Sequence, residues 1–323
     1  MTVPIRFPLN FNFAYGEPGC CADFRSSNAD FIVVEDLGFD PLGEGEHVFL
    51  QVRKSGQNTH WLASQLASFA KVSSNDVGYA GRKDRHAITT QWFSVYFPKK
   101  QLPDWTRFNI EGVELLQVTR HQKKLRPGDH GNNRFSITLR NISDIDEVKE
   151  RLLRIENGVP NYFGEQRFGR GGSNLQMAES LLVERKAIKQ RKQRGLVISA
   201  ARSYLFNRVL SQRISEHNWE LLLPGEVESE PSGPLWGRGR PLVTDAQFDL
   251  ESDALKKHSI WCEGLEHVGL QQERRILKCL PKDINFACKD RSLELSFTLL
   301  PGQYATAVLR ELCNLEDKSL VNL

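Results

Sequence analysis

Phe135-Ser136-Ile137-Thr138-Leu139-Arg140, running on into Asn141-Ile142-Ser143-Asp144-Ile145-Asp146-Glu147-Val148-Lys149-Glu150-Arg151-Leu152-Leu153-Arg154-Ile155-Glu156, places two periods back to back. Phe135, Ile137 and Leu139 alternate with Ser136, Thr138 and Arg140, which predicts a strand with one buried face. Val148, Leu152 and Ile155 then share one stripe at helical spacing, behind Ser143 as a cap and ahead of Gly158. Pro160 prevents continuation. Strands mixed with helices in this way predict an α+β fold.

Working toward the start, Phe31-Ile32-Val33-Val34-Glu35 and Val48-Phe49-Leu50-Gln51-Val52 flank the turn-rich Pro41-Leu42-Gly43-Glu44-Gly45-Glu46, and an antiparallel pair is the simplest inference. Asn58-Thr59 can cap a helix to about Lys71, whose Leu62, Leu66 and Phe69 form the face that packs on the sheet. Trp92-Phe93-Ser94-Val95-Tyr96-Phe97 is a further strand. Toward the end, Leu293, Leu295, Phe297 and Leu299 alternate before Pro301-Gly302, and Ala305–Leu315 reads as a final helix with Val308, Leu309 and Leu312 inward. The stretch between carries a basic run, a glycine- and proline-rich segment from Pro224 to Pro241 and weaker strand signals. The expectation is a sheet domain from 1–158 and 292–323, interrupted by an inserted α+β domain at 159–291.

Hydrophobic residues at 40% and charged residues at 26% match an ordinary globular protein. No stretch approaches eighteen apolar residues and Met1–Asn10 lacks the order of a signal peptide, so the expected location is the cytoplasm, away from membranes. The six cysteines form no CxxC pair and have no histidine at zinc-ligand spacing, and are read as reduced and structural. A net charge of +3 by itself says little about partners. Its distribution says more, because Arg120-His121-Gln122-Lys123-Lys124-Leu125-Arg126 and Arg185–Arg194 are basic runs suited to phosphate, or alternatively solvated faces.

Gly78-Tyr79-Ala80-Gly81-Arg82-Lys83-Asp84-Arg85-His86-Ala87 is a charge-dense loop between core elements, where chemistry often sits. Its one carboxylate, Asp84, lies among Arg82, Lys83 and Arg85, which favour the charged form of a nucleophile or base. The same pattern also fits an aspartate in a surface ion-pair network.

Taken together, this loop, Thr90-Gln91-Trp92-Phe93, Gly131-Asn132-Asn133-Arg134-Phe135, Val159-Pro160-Asn161-Tyr162-Phe163-Gly164-Glu165-Gln166-Arg167-Phe168-Gly169 and Leu300-Pro301-Gly302-Gln303-Tyr304-Ala305-Thr306 resemble the TruD family of pseudouridine synthases, in family order and over nearly the whole chain. The resemblance implies a mixed, largely antiparallel catalytic sheet with flanking helices and a family-specific insertion domain. It implies isomerisation of a tRNA uridine to pseudouridine, in the D-arm for bacterial members, with the family's essential aspartate at Asp84. Phe31, Asn133, Phe135 and Tyr304 match positions near the substrate: Phe135 for stacking, Asn133 for a hydrogen bond to uracil or to Asp84. Arg82, Lys83, Arg85 and Arg167 are candidate supports for RNA or for the site. The sequence departs from the pattern in having Tyr304 for a common phenylalanine and Arg25 for a lysine before Asp30-Phe31. The reaction breaks the N1–C1′ bond and joins C5 to C1′ with no change of oxidation state, so no cofactor or metal is expected. Two rival readings are a non-catalytic RNA-binding protein and a hydrolase or phosphotransferase with an aspartyl nucleophile, the latter requiring an acidic magnesium cluster.

Overall fold

The computed structural model describes residues 7–98 and 102–320. Residues 1–6, most of the segment read for a signal peptide, lie outside the described residues. In chain order the elements begin with β1 (Cys21–Phe24), β2 (Phe31–Asp36), β3 (His47–Ser55), α1 (Thr59–Ala70), β4 (Val77–Tyr79), β5 (Ile88–Tyr96), β6 (Val113–His121), β7 (Asn132–Leu139) and α2 (Ile145–Ile155). There follow β8 (Val159–Pro160), α3 (Ser173–Leu182), α4 (Arg191–Ser215), β9 (Ser232–Leu235), α5 (Asp245–Leu255), α6 (Ser259–Glu266), β10 (Glu273–Ile276) and β11 (Lys278–Cys279). The chain closes with β12 (Lys282–Lys289), β13 (Ser292–Leu299), α7 (Ala305–Leu309) and β14 (Asn314–Asp317). Among the described residues no helix is long and apolar enough to cross a membrane.

The chain divides into two compact units. The first, from Gly19–Leu152, Pro281–Gly302 and residues 312–320, is built on an eight-stranded sheet in the order β12-β13-β7-β2-β5-β3-β6, with β4 paired to β5. Its ladders are antiparallel except for β2 with β5. The expected β2–β3 pair does not form, because β5 lies between them: Val33 faces Thr89 and Leu50 faces Phe93. A turn-rich connection does not fix adjacency when a later strand satisfies both edges. The alternation of β7 and β13 is realised, and the two pair directly, Phe135 opposite Phe297 and Ile137 opposite Leu295.

Helix α1 covers one face of this sheet, its Leu62, Leu66 and Ala70 joining Val48, Leu50, Val52, Phe93 and Val95 in one core. Asn58 caps it, its side chain accepting from the amides of His60 and Trp61. The helix ends at Lys71 in the left-handed conformation. Replacing Asn58 with alanine is expected to lower stability by about 1 kcal/mol, measured by urea denaturation. At α2 the cap is Asp144, not Ser143: Asp144 accepts from the amides of Asp146 and Glu147, while Ser143 Oγ accepts from the amide of Cys21.

The second unit holds residues 7–18, Leu153–Leu280 and Gln303–Glu311. Helix α4 runs through its core, with Tyr204, Leu205, Phe206, Val209 and Leu210 buried against α3, α6 and the aromatic block Tyr162, Phe163 and Phe168. A short antiparallel pair, β9 with β10, completes the α+β character expected of the insertion. The division differs from the expected 159–291 borders. Strand β12 belongs to the sheet because its ladder with β13 starts at Lys282, and α7 belongs to the helical unit. The final helix is also shorter than Ala305–Leu315: it stops at Leu309, and Asn314–Asp317 instead pairs in parallel with β1.

Candidate active site

Asp84 lies in the loop between β4 and β5, and its side chain keeps 33% of its exposure. The loop follows β4, within which Gly78 leaves no room for a side chain: a Cβ there would sit 2.3 Å from the carbonyl oxygen of Leu125, so only glycine fits. From there buried polar side chains of several elements hold it. Gln91 of β5 donates to the carbonyl of Gly81 (3.2 Å) and accepts from Thr59 Oγ1 (2.9 Å). Thr59, at the start of α1, accepts in turn from the amide of Lys83 (3.0 Å). Lys54 of β3 donates to the carbonyl of Asp84 (2.9 Å).

Among the described residues, none of the cations beside Asp84 in sequence forms an ion pair with it. Lys83 Nζ turns away to a buried ion pair with Glu35 Oε2 on β2 (2.6 Å), whose Oε1 accepts from the Trp92 amide (3.0 Å). Arg85 Nε donates to the carbonyl of Gly56, and Arg82 is exposed. The partner comes from far away in the chain: Arg25 Nη2 stands 3.4 Å from Asp84 Oδ2. Arg25 follows β1 in the left-handed conformation, φ 56°, at a cost of roughly 1–2 kcal/mol to a non-glycine residue. Asp317 of β14 (3.3 Å) and the rings of Phe24 and Phe31, each 4.6 Å from the guanidinium carbon, hold it there.

Phe31 and Phe135 lie in an aromatic row of this unit. Phe24 meets Phe31 edge-on at 5.4 Å, Phe31 lies 6.1 Å from Phe135, and Phe135 stacks on Phe297 at 5.5 Å. Phe31 is 2% exposed and Phe135 8%. Asn133, on the same face of β7 as Phe135, bonds through Nδ2 to Nε2 of buried His130 (2.9 Å) rather than to Asp84. Burial, with Lys83 nearby, holds His130 below the ordinary histidine range. Beside Phe31, Asp30 makes a two-pronged pair with Arg140; burial opposes ionisation there, but the arginine holds the carboxyl below its usual range.

Tyr304 and Arg167 belong to the helical unit. There Arg167 Nη2 donates to the Tyr304 hydroxyl (2.5 Å), and Arg167 Nη1 donates to Ser199 Oγ (3.1 Å). Gly169, at φ 78°, turns the chain between two short helical turns, and a Cβ there would meet Ser173 Oγ at 2.5 Å. Among the described residues, no group of three or more His, Cys, Asp or Glu side chains is placed to hold a metal ion.

A family model, tRNA pseudouridine synthase D (TruD), matches residues 10–190 and 225–312. The chain belongs to the TruD family. A tRNA pseudouridine synthase D of Cellvibrio japonicus (strain Ueda107) is 50% identical over 327 residues, covering 99% of this chain and 97% of that one. Another, of Hydrogenovibrio crunogenus, is 42% identical over 339 residues, covering 95% and 98%. A crystal structure of a Methanosarcina mazei chain assigned to TruD aligns with a TM-score of 0.69 at 22% identity, over 96% of this chain and 98% of that one, a likeness of fold. The mixed, mainly antiparallel sheet with helices is thus the TruD fold expected from the sequence motifs. The sequence marks Arg25 only as a departure from the TruD pattern, and no site role is read in it for Lys54, Glu35, Thr59, Gln91, His130 or Asp317, although Thr59 stands in the expected cap of α1 and Gln91 in a family motif. Period two held a signal for three of these. Lys54 is in phase with buried Val48, Leu50 and Val52; Glu35 with Phe31 and Val33; Gln91 with Phe93 and Val95.

Proposed function

We propose that this TruD-family chain isomerises a uridine in the D-arm of tRNA to pseudouridine, with Asp84 as its nucleophile. The observation that carries the reading is the half-open Asp84 carboxylate. It is paired to a buried arginine, on a loop whose main chain is held from β3, α1 and β5. Such a carboxylate is presented in one geometry without having to be ordered at the moment of reaction. It can act on the ribose of a flipped uridine as N1–C1′ breaks; the uracil turns, C5 bonds to C1′, and the proton on C5 leaves to a base. Adding to C1′ and removing the C2′ proton both begin from the ionised form.

Phe135 is the ring proposed to lie under the base, since Phe31 is already covered by Arg25. Asn133 is proposed to read the uracil edge, and Tyr304, steadied by Arg167, to contact the substrate. The basic run at the start of α4 supports an RNA partner on separate grounds. Arg191, Lys192 and Arg194 occupy a helix N-terminus, where positive charge is unfavourable to the helix itself by about 0.3–1 kcal/mol each. Exposed phosphate would offset that. With a tRNA substrate, the location proposed for the chain is the cytoplasm. The rival hydrolase reading lacks an acidic cluster among the described residues.

The test uses tRNA transcripts labelled with tritium on C5 of uridine, because joining C5 to C1′ releases that hydrogen. Wild-type protein is expected to release label from the full transcript and none from one whose D-arm uridines are replaced by cytidine. Equal release from both would exclude the D-arm as the target.

A further inference from the structure

Lys54 stands at a core position of β3, fully buried, in phase with Val48, Leu50 and Val52. Its ammonium donates to two main-chain carbonyls, those of Gln57 (2.7 Å) and Asp84 (2.9 Å), and no ion pair with a carboxylate is formed among the described residues. A buried charge is costly, and an apolar side chain would fill the same space without that cost. The reason for a lysine therefore lies in what the ammonium holds. Thr59 and Gln91 hold the loop at residues 83 and 81, whereas Lys54 makes the one side-chain hydrogen bond to Asp84 itself among the described residues.

We infer that the charged Lys54 ammonium is a positioning residue for the isomerisation, fixing the main chain of Asp84 so that its carboxylate keeps a single orientation toward the uridine. The inference rests on the reading of Asp84 given above. Arg25 fixes one carboxylate oxygen and Lys54 the carbonyl of the same residue, so the nucleophile is held at both ends. Burial pulls the Lys54 ammonium down to about 8, with Asp84 opposing the fall and Lys83 adding to it. Among the described residues, those two are the charges that act on it. Its register partners on the flanking strands, Thr89 and Val113, carry none, and from the segment after β3 the Gln57 carbonyl accepts from it. Once the amine is neutral the charge-assisted bond to Asp84 weakens, so the rate should fall as pH rises through about 8.

The experiment measures single-turnover pseudouridine formation on saturating tRNA transcript across roughly pH 6.5 to 9.5 for wild type, Lys54→Met, Lys54→Arg and Asp84→Asn. Wild type is expected to be level to about pH 8 and then to fall. Lys54→Met is expected to be slower by about 10²-fold at neutral pH, with tRNA affinity within about twofold and no alkaline fall. Lys54→Arg, which does not titrate in this range, is expected to stay level at whatever plateau it reaches. A Lys54→Met protein at the wild-type rate, or one that is slow yet keeps the alkaline fall, overturns the inference. So does a wild-type rate level to about pH 9.5, which needs no variant to fold. Full activity in Asp84→Asn would instead remove the reading beneath the inference, whereas a fast Lys54→Met beside an inactive Asp84→Asn removes the role of Lys54 alone.

Discussion

Replacing Asp84 with asparagine is expected to lower the single-turnover rate of pseudouridine formation by at least about 10³-fold. Affinity for tRNA should stay within about threefold, because phosphate contacts supply most of it. Asparagine keeps the shape of the side chain and removes its charge. The contacts that hold the loop do not depend on that charge. Lys54 binds the carbonyl of residue 84, Thr59 binds the amide of Lys83, and Gln91 binds the carbonyl of Gly81. Arg25 keeps Asp317 and its two aromatic neighbours when the carboxylate is lost. The loss therefore reads out chemistry rather than folding, and an unchanged thermal midpoint beside a lost rate is the expected pair of results. A variant that turns over at a tenth of the wild-type rate or better would mean, by about 1.4 kcal/mol or less of lost barrier stabilisation, that Asp84 is not the nucleophile.

The second large effect is on stability. Lys83→Met is expected to cost about 3–5 kcal/mol, measured as a shift of the urea midpoint at constant slope. Glu35 is buried on β2, where Lys83 forms an ion pair with one of its oxygens and the Trp92 amide donates to the other. Removing the lysine leaves a carboxylate inside the sheet with one neutral donor. Removing both charges, in Glu35→Met with Lys83→Met, leaves no unpaired charge and should recover much of the loss. If Lys83→Met alone were as stable as wild type, the loop would not be anchored through this pair.

How far the sequence reaches is set by the range of the interaction. Periods are local, so the strand at Phe135–Leu139, the helix at Leu62–Phe69 and the strand at Leu293–Leu299 are legible from side chains a few positions apart. Adjacency is not local: the partner of β2 is β5, more than fifty residues on, and nothing between Phe31 and Val52 announces it. The end of the chain misleads for the same reason. Leu312 has helical spacing from Leu309, yet β1 offers an edge that draws Asn314–Asp317 into a strand and sets Asp317 beside Arg25.

The site divides in the same way. Asp84 stands out because a lone carboxylate sits in a cationic loop, but its neighbours in sequence are not its partners in space: Lys83 serves Glu35, and Arg25 serves Asp84. What the sequence did hold was quieter. Lys54, Glu35 and Gln91 interrupt the buried phase of three strands, and a charged or amide side chain at a core position must be holding something. In this fold those three, with Thr59, hold the Asp84 loop.

The most direct test of the account is the pseudouridine content of unmodified tRNA transcripts after incubation with the purified chain and no added cofactor, measured by nuclease digestion and chromatography, for wild type and Asp84→Asn side by side. New pseudouridine with wild type, and none with a variant that still binds the RNA, is the expected result. Tight binding by both proteins with no pseudouridine from either, across a full set of tRNAs, would contradict it and leave an RNA-binding protein in its place.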